Sequence, residues 1–381
     1  MALNAAELIE RAGQNTGLTN FGDAPLREGL EILCKALLSE ARLTAKGVAA
    51  VEGSILHVLE QRLKIEDWYR RHPEIDNQKI VAPVFVTGLP RSGTTALGNY
   101  LAQDSNARSI RRWEGSTPTP PPEAETQYTD ARIAETQRGI DRQEAAAPAL
   151  KTMSRNNATD PHENWVILQH TFQSIHFAGP YRVPSYLAWT LTCDMAPAYR
   201  YLGRVLKLLQ WRCPPRRWNL KNPPDMFFPA AIKAVFPDAR LVCSFRDPIK
   251  TVPSIASLLY VRRGSSTEHV DKIELGKTEL ELRVEQAQRA MAYREAGGTF
   301  IDVYNQDLVR DPAGTIRAIY SALGLGFTPE FESRLGVRAQ ERPKGKGGEH
   351  VYTPDEFGLS ANVIRQRFGQ FTEFFDIPLE S

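Results

Sequence analysis

The sequence has few of the features that mark secreted, zinc-binding or membrane-spanning proteins. Its 381 residues include only four cysteines, no two of which form a CxxC pair, so neither a disulfide framework nor a zinc ribbon is expected. No apolar run approaches the roughly 18 residues that a membrane span requires. The N-terminal residues also lack the basic start and apolar core of a signal peptide. We therefore expect a cytoplasmic protein without a transmembrane segment.

An excess of charge of one sign is also missing. Lys and Arg (47) almost balance Asp and Glu (45), which leaves a formal net charge of +2. Non-specific nucleic-acid binding depends on many cationic contacts to phosphate, so this composition predicts no nucleic-acid partner, although it allows a local pocket for one anionic ligand. HExxH and EF-hand spacings are absent as well, and the sequence predicts no metal site.

Apolar periodicity predicts a helical extension over residues 1–80. Leucines recur there at intervals of three and four residues, as on the core-facing side of a helix, and a further helix is predicted to begin near Gly53. A residue before proline avoids helical geometry, so His72–Pro73 should end this part. The leucine stripe consists of Leu30, Leu33, Leu37 and Leu38.

Residues 81–381 predict an α/β domain. The short apolar runs at 81–87, 240–245 and 299–304 are typical of buried strands, and a loop or turn and then a helical pattern follow them. Strands that alternate with helices build parallel sheets. We therefore expect a P-loop-like three-layer domain with a mostly parallel central sheet flanked by helices, and the helical extension packed against it.

The first predicted strand leads into a glycine-containing loop, GLPRSGTT (88–95), and then into a helix. Gly88 and Gly93 have the spacing of a P-loop, but threonines follow where a nucleotide hydrolase has Lys and then Ser or Thr. The backbone N–H groups at the start of the helix can still bind an anion. Arg91, inside the loop, adds a forked two-donor contact that a lysine cannot supply.

A second strand end carries another candidate anion site. Arg246 ends the predicted strand at 240–245, Asp247–Pro248 turns the chain, and Ser254 follows eight residues after Arg246 in the next helix. Open α/β sheets bind ligands at the carboxyl ends of their strands. Arg246 and Ser254 can therefore converge on one anion, although an Arg246–Asp247 ion pair is the simpler alternative.

Together these motifs resemble the sulfotransferase family that uses 3′-phosphoadenylyl sulfate (PAPS), and most of all its bacterial branch with a helical N-terminal extension. The resemblance implies a 3′-phosphate site at Arg246 and Ser254. The run LKNP (220–223) is similar to the family's lysine segment, which implies that Lys221 faces the transferring group. The implied 5′-phosphosulfate site comprises Pro90, Arg91, Ser92, Gly93, Thr94 and Thr95, and a looser similarity adds Lys344, Gly345 and Lys346.

The resemblance implies that Arg91, Lys221 and the loop N–H groups stabilise charge on the leaving phosphate. It leaves the general base open, because Pro223 stands where cytosolic members carry a histidine and Asp225 where bacterial relatives often do. The candidate bases are Glu114, His162 and Glu163. Glu114 lies where several family branches have a catalytic glutamate. For the cluster around His162, the alternative role is to cap a helix.

The implied function is transfer of a sulfuryl group from PAPS to a hydroxyl or amine of a small, partly apolar acceptor by in-line displacement, without a metal. A non-catalytic binding protein for the desulfated product (PAP) and a P-loop kinase are the alternatives. An aromatic-rich stretch predicted to contain a helix over 162–177 suits a lipid, sterol, phenol, polyketide-like alcohol or glycolipid acceptor, unless its rings pack in the core. Its aromatic residues are Trp165, Phe172, Phe177, Tyr181, Tyr186 and Trp189.

Overall fold

The structure is a computed structural model that describes residues 3–146, 156–214, 217–341 and 352–380. Its centre is a parallel sheet with the strand order β2-β3-β1-β4-β5. Strand β1 lies in the middle, with Phe85 beside Leu220 of β3 and Leu241 of β4. The strands are β1 (Val84–Gly88), β2 (Ala107–Arg108), β3 (Arg217–Lys221), β4 (Arg240–Phe245) and β5 (Ile301–Tyr304).

Helices cover the faces of this sheet, and the sequence-based prediction of a three-layer α/β fold is confirmed. None of the helices within the described ranges is long and apolar enough to cross a membrane. In chain order the helices are α1 (Ala5–Thr16), α2 (Arg27–Ser39), α3 (Ala45–Arg71), α4 (Thr94–Leu101), α5 (Arg112–Ser116), α6 (Ala131–Ala146), α7 (Trp165–Leu168), α8 (Pro184–Thr192), α9 (Ala196–Gln210), α10 (Pro229–Val235), α11 (Pro248–Gly264), α12 (Lys272–Glu295), α13 (Asn305–Arg310), α14 (Pro312–Ala322), α15 (Pro329–Glu341) and α16 (Ala361–Phe374).

The N-terminal helices α1, α2 and α3 form a second apolar cluster together with the aromatic segment around residues 172–186. Leu30, Leu33 and Leu37 are buried there as predicted, but Leu38 is 55% exposed. One residue advances a helix by about 100°, so Leu38 turns away from the face that holds Leu37. The division of the chain at residue 80 stays a prediction.

The start predicted near Gly53 is wrong, because Gly53 lies inside α3. The helix begins at Ala45, where the Thr44 hydroxyl accepts a hydrogen bond from the Gly47 N–H (2.9 Å). Arg71 ends it, directly before His72–Pro73, as predicted. Gly53 is tolerated in the middle because its face is open to solvent, at a cost of about 1 kcal/mol relative to alanine.

Strand β3 is the element that sequence analysis missed although it carries Lys221. Its sequence, RWNLK, alternates polar and apolar residues and contains no β-branched residue, so it gives little strand signal. Pairing with β1 on one side and β2 on the other makes it a buried inner strand. Lys221 consequently leaves the sheet at the carboxyl edge, next to the loop that follows β1.

Candidate active site

The loop after β1 has backbone geometry that only a few residue types accept. Gly93 has φ = +106°, and a Cβ there would lie 2.4 Å from Asn305 Nδ2. Glycine is therefore required at this position by both conformation and space. Arg91 also has a positive φ, +71°. Helix α4 begins directly afterwards at Thr94, so its first N–H groups, which have no partner inside the helix, point out of the loop.

The neighbouring strands hold this loop through the carbonyl oxygen of Ser92. Ser244 at the end of β4 donates its hydroxyl to that oxygen (2.8 Å), and the Asn305 side-chain amide donates to it as well (3.0 Å). Ser92 itself is fully buried. Asn305 follows β5 and was not singled out by the sequence analysis.

The structure brings the two predicted anion sites together at the carboxyl edge of the sheet. Arg91 Nε donates to Ser254 Oγ (3.1 Å), which joins the loop after β1 to helix α11 after β4. Burial is the main reason that the pKa of Arg91 lies below its ordinary value. Arg246 does not pair with Asp247; its guanidinium binds Glu380 through Nε (3.0 Å) and Nη2 (3.2 Å).

Lys221 and Glu163 form an ion pair beside the loop, with Nζ and Oε1 2.8 Å apart. Lys221 is buried, while the Glu163 side chain keeps 27% of its surface and faces the cavity. Burial alone would raise the pKa of Glu163, but the charge and hydrogen bond of Lys221 outweigh it and hold the pKa below its ordinary value. The carboxylate therefore faces the cavity in its ionised form.

His162, a candidate base, is oriented away from that task. Its Nδ1 accepts the backbone N–H of Glu163 (2.8 Å), and its ring packs edge-on against Trp165. Burial, followed by the charges of Arg112 and Lys221, holds the pKa of His162 well below 6.5. A neutral imidazole has one acceptor nitrogen, and here the backbone uses it.

Glu114 is not brought to the cavity, and the structure does not support the base role expected for it. The side chain is fully buried, forms an ion pair with Arg108, and accepts the Arg111 backbone N–H with Oε2 (3.1 Å). One carboxylate oxygen thus caps the start of α5, and the other pairs with Arg108 at the end of β2.

A cavity of about 360 Å³, which is open to solvent, connects these groups. This volume lies within the range of roughly 300–1,000 Å³ that is typical of small-molecule sites. The residues of the two predicted anion sites line it, together with Asn305: Pro90, Arg91, Gly93, Thr94, Thr95, Arg246 and Ser254. Its lining also includes the aliphatic residues Ile175, Ala178, Leu187, Ile255, Leu258, Leu259 and Leu282.

Glu163, His176 and Arg262 also line the cavity. His176 stacks on Trp165 with ring centroids 3.3 Å apart, and burial lowers its pKa to about 3. Within the described part of the chain, the Arg262 guanidinium has no hydrogen bond or ion pair, and burial lowers its pKa. Sequence reasoning missed both residues. A signal for Arg262 was its position on α11, eight residues after Ser254.

The aromatic stretch does not form the acceptor wall in the way expected. Phe172, Phe177 and Tyr186 are buried among the N-terminal helices, which corresponds to core packing, the alternative interpretation. The predicted helix over 162–177 is only the short α7 followed by 3₁₀ turns. That irregular path turns the aromatic rings inward and leaves the small residues Ala178 and Gly179 at the cavity.

The remaining predicted binding residues, Lys344, Gly345 and Lys346, lie outside the described residues. Among the residues that are described, no group of three His, Cys, Asp or Glu side chains is placed to hold a metal ion. Independence from metal stays a prediction.

The strand order and the loop–helix unit after β1 are those of P-loop-like α/β proteins. A family model described as the sulfotransferase family matches residues 83–329. The chain therefore belongs to the sulfotransferase family.

Relatives of known activity and structure agree with this assignment. Omega-hydroxy-beta-dihydromenaquinone-9 sulfotransferases of Mycobacterium tuberculosis and Mycobacterium bovis are 25% identical over 269 residues, which cover 66% of this chain and 64% of theirs. The crystal structure of sulfotransferase STF9 from Mycobacterium avium matches 100% of this chain and 98% of its own length with a TM-score of 0.91 and 28% identity. Sulfotransferase STF1 from Mycobacterium tuberculosis covers 97% of this chain and 99% of its own with a TM-score of 0.87 and 27% identity.

Proposed function

We propose that this sulfotransferase takes its sulfuryl group from PAPS and transfers it to a hydroxyl or amine of an acceptor with an apolar body. The observation that carries the donor assignment is that two cationic sites, the Arg91 loop and Arg246, line the same cavity. The loop N–H groups and Arg91 suit a phosphosulfate, and Arg246 suits a second phosphate. A nucleotide with a 3′-phosphate has anionic groups at both places.

The cavity's own residues fit such a donor. The Arg246 guanidinium already donates two hydrogen bonds to the two oxygens of the Glu380 carboxylate, and the same pair of donors suits two oxygens of a phosphate. Gly93 keeps the approach to the α4 N–H groups free of a side chain. The donor would supply the transferable sulfuryl group, and the chain would position it and stabilise charge on the leaving phosphate oxygen.

We assign the proton-accepting role to Glu163 and the charge-stabilising role to Lys221 and Arg91. Glu163 lines the cavity together with Arg91 and is 27% exposed, whereas Glu279, the other carboxylate in the lining, is 2% exposed and pairs with Arg283. A bound anionic donor would raise the pKa of Glu163 towards the range that general base catalysis needs. Lys221, 2.8 Å away, would then be able to turn its ammonium towards the leaving group.

The cavity lining supports an acceptor that has an apolar body and also carries a polar oxygen. The aliphatic part of the cavity lining suits a hydrocarbon or ring system, and the mycobacterial relatives are named as sulfotransferases of omega-hydroxy-beta-dihydromenaquinone-9. Arg262 lies in the same lining, and an occupant that covered it without supplying a hydrogen-bond acceptor would bury an unpaired charge. Lipid, sterol, phenol, polyketide-like and glycolipid acceptors remain within this proposal.

The donor is tested by comparing ligands in thermal unfolding. PAP should raise the melting temperature, whereas ATP with magnesium should not. Transfer of ³⁵S from labelled PAPS to a panel of phenols and apolar alcohols then tests catalysis. Stabilisation by ATP with magnesium alone would favour the kinase alternative, and binding of PAP without transfer to any acceptor would favour a binding protein.

A further inference from the structure

The candidate catalytic pair is backed by a buried carboxylate that the sequence analysis noticed only as a departure from the family pattern. Asp225, in the 3₁₀ turn Pro223–Phe227, is 1% exposed. Its Oδ1 accepts hydrogen bonds from Asn222 Nδ2 (2.7 Å) and Tyr199 Oη (2.8 Å). Its Oδ2 accepts a hydrogen bond from Asn164 Nδ2 (2.9 Å).

Two of these hydrogen-bond donors are adjacent in sequence to the ion pair of Glu163 and Lys221. Asn164 follows Glu163 and Asn222 follows Lys221, so the Asp225 carboxylate joins the two segments that carry the charged side chains. A backbone hydrogen bond from Asn164 N–H to Lys221 O (3.0 Å) lies between the same segments. The ion pair on the cavity side and the carboxylate bridge on the buried side thus close a ring of contacts.

The orientation of both amides depends on this carboxylate. The side-chain oxygens of Asn164 and Asn222 are buried and have no hydrogen-bond partner within the described residues. Each amide therefore makes its side-chain hydrogen bonds through its NH₂ group to Asp225 alone. A side chain at position 225 that donates hydrogen bonds could not pair with the NH₂ groups of Asn164 and Asn222. The segments that carry Glu163 and Lys221 would then lose the contact that joins them.

We propose that Asp225 is a positioning residue, which holds Glu163 and Lys221 in reacting geometry by bridging Asn164 and Asn222. The proposal rests on the function proposed above, since it assumes that the pair performs the transfer. Asp225 is not among the residues that line the cavity, so the role proposed for it is indirect. We expect the loss of this bridge to lower kcat, because a displacement of about 1 Å at a catalytic group can reduce the rate about 100-fold.

The test compares Asp225→Asn with the wild type in sulfuryl transfer from PAPS to 4-nitrophenol or to the best acceptor of the panel. We expect kcat to fall by about 10- to 100-fold, while the acceptor KM and the PAP dissociation constant stay within about threefold. Asp104→Asn is the matched control, because Asp104 is also buried and accepts the Tyr320 hydroxyl (2.7 Å), but it lies beside Arg217 at the other end of β3. That control should lose stability and keep its kcat.

A double-mutant cycle separates positioning from general destabilisation. If Asp225 acts through the pair, Asp225→Asn should lower kcat little further in a Glu163→Gln background. Asn164→Ala, which removes only the bridge to the Glu163 segment, should reproduce the loss and serves as the readout if Asp225→Asn does not fold. Wild-type kcat in Asp225→Asn or in Asn164→Ala, or fully additive losses in the cycle, would overturn the inference. Absence of transfer by the wild type to every acceptor would instead overturn the proposed function.

Discussion

Arg246 and Glu380 are joined by a two-bond ion pair at the place proposed for the donor's 3′-phosphate. The Glu380 backbone N–H also donates to Asp247 Oδ2 (2.7 Å), and its carbonyl oxygen accepts from Arg365 (3.1 Å). The carboxylate is therefore held on Arg246 by its own backbone. A phosphate that binds Arg246 must displace it.

This geometry predicts opposite effects of two variants on PAP affinity. Arg246→Ala should weaken PAP by about 10- to 100-fold, since a hydrogen bond to a charged group contributes roughly 1.5–3 kcal/mol. Glu380→Gln removes the competing charge and should bind PAP several-fold more tightly than the wild type. Isothermal titration measures both, with adenosine 5′-phosphosulfate, which lacks the 3′-phosphate, as the control ligand. Equal changes for the two ligands would contradict the assignment of Arg246.

Glu163 and Lys221 should separate binding from turnover. Glu163→Gln keeps the shape but cannot accept a proton, and we expect kcat to fall by about 100-fold or more with PAP affinity retained. Lys221→Ala should also depress kcat at little cost in PAP affinity. Initial rates and titrations measure these effects. A rise in KM at unchanged kcat would identify either residue as a ground-state binding group.

Glu114→Gln should act on stability rather than on the reaction. Breaking one partner of a buried ion pair typically costs about 3–5 kcal/mol, because Arg108 would keep its buried charge. Urea unfolding should show this loss, while the folded fraction should transfer sulfuryl groups at the wild-type kcat. A drop of 100-fold in kcat at unchanged stability would restore Glu114 as the base and would remove that role from Glu163.

Asp225 predicts a specific dependence of stability on pH. Burial raises its pKa to about 7, against the three hydrogen bonds that lower it. A carboxyl with a raised pKa stabilises the fold fully below its unfolded pKa, about 4, and loses that contribution as pH rises through its folded pKa. Relative to the wild type, Asp225→Asn should therefore gain stability between about pH 4 and pH 7.

Denaturation curves of both proteins at several pH values measure this difference. Burial lowers the pKa values of His170 and of the partly buried His176 to about 3, which acts on stability in the opposite sense, but both residues are present in both proteins and cancel in the comparison. A difference in unfolding free energy that stays constant from pH 4 to pH 8 would contradict a titrating Asp225.

Arg262→Met should alter acceptor preference and leave donor binding unchanged. If Arg262 pairs with an oxygen of the acceptor, KM for 4-hydroxybenzoate should rise by about 10-fold or more, while KM for 4-hydroxybenzyl alcohol changes little. Arg200→Met is the matched control, because Arg200 is an exposed arginine on α9. Equal losses of kcat for both acceptors would place Arg262 at the sulfuryl group instead.

Local sequence patterns were sufficient to predict the layered architecture and the position of the anion-binding loop. Both follow from local patterns: short apolar runs ahead of helices, and glycines at positions where a turn requires positive φ, as at Gly93. The interval between Arg246 and Ser254 is equally local, since a strand end and the next helix fix where both side chains emerge. These features needed no knowledge of distant contacts.

Which of the candidate bases lies at the cavity depends on long-range contacts that the sequence pattern does not show. Glu114 and Glu163 both have cationic residues available, but Arg108 and the Arg111 backbone bury the first, whereas β3 brings Lys221 beside the second across a long stretch of sequence. Long-range contacts also create the ion pair between Glu380 and Arg246 and the bridge that Asp225 forms between Asn164 and Asn222. Ion pairs and buried networks depend on distance and burial, and long-range packing sets both for residues that lie far apart in sequence.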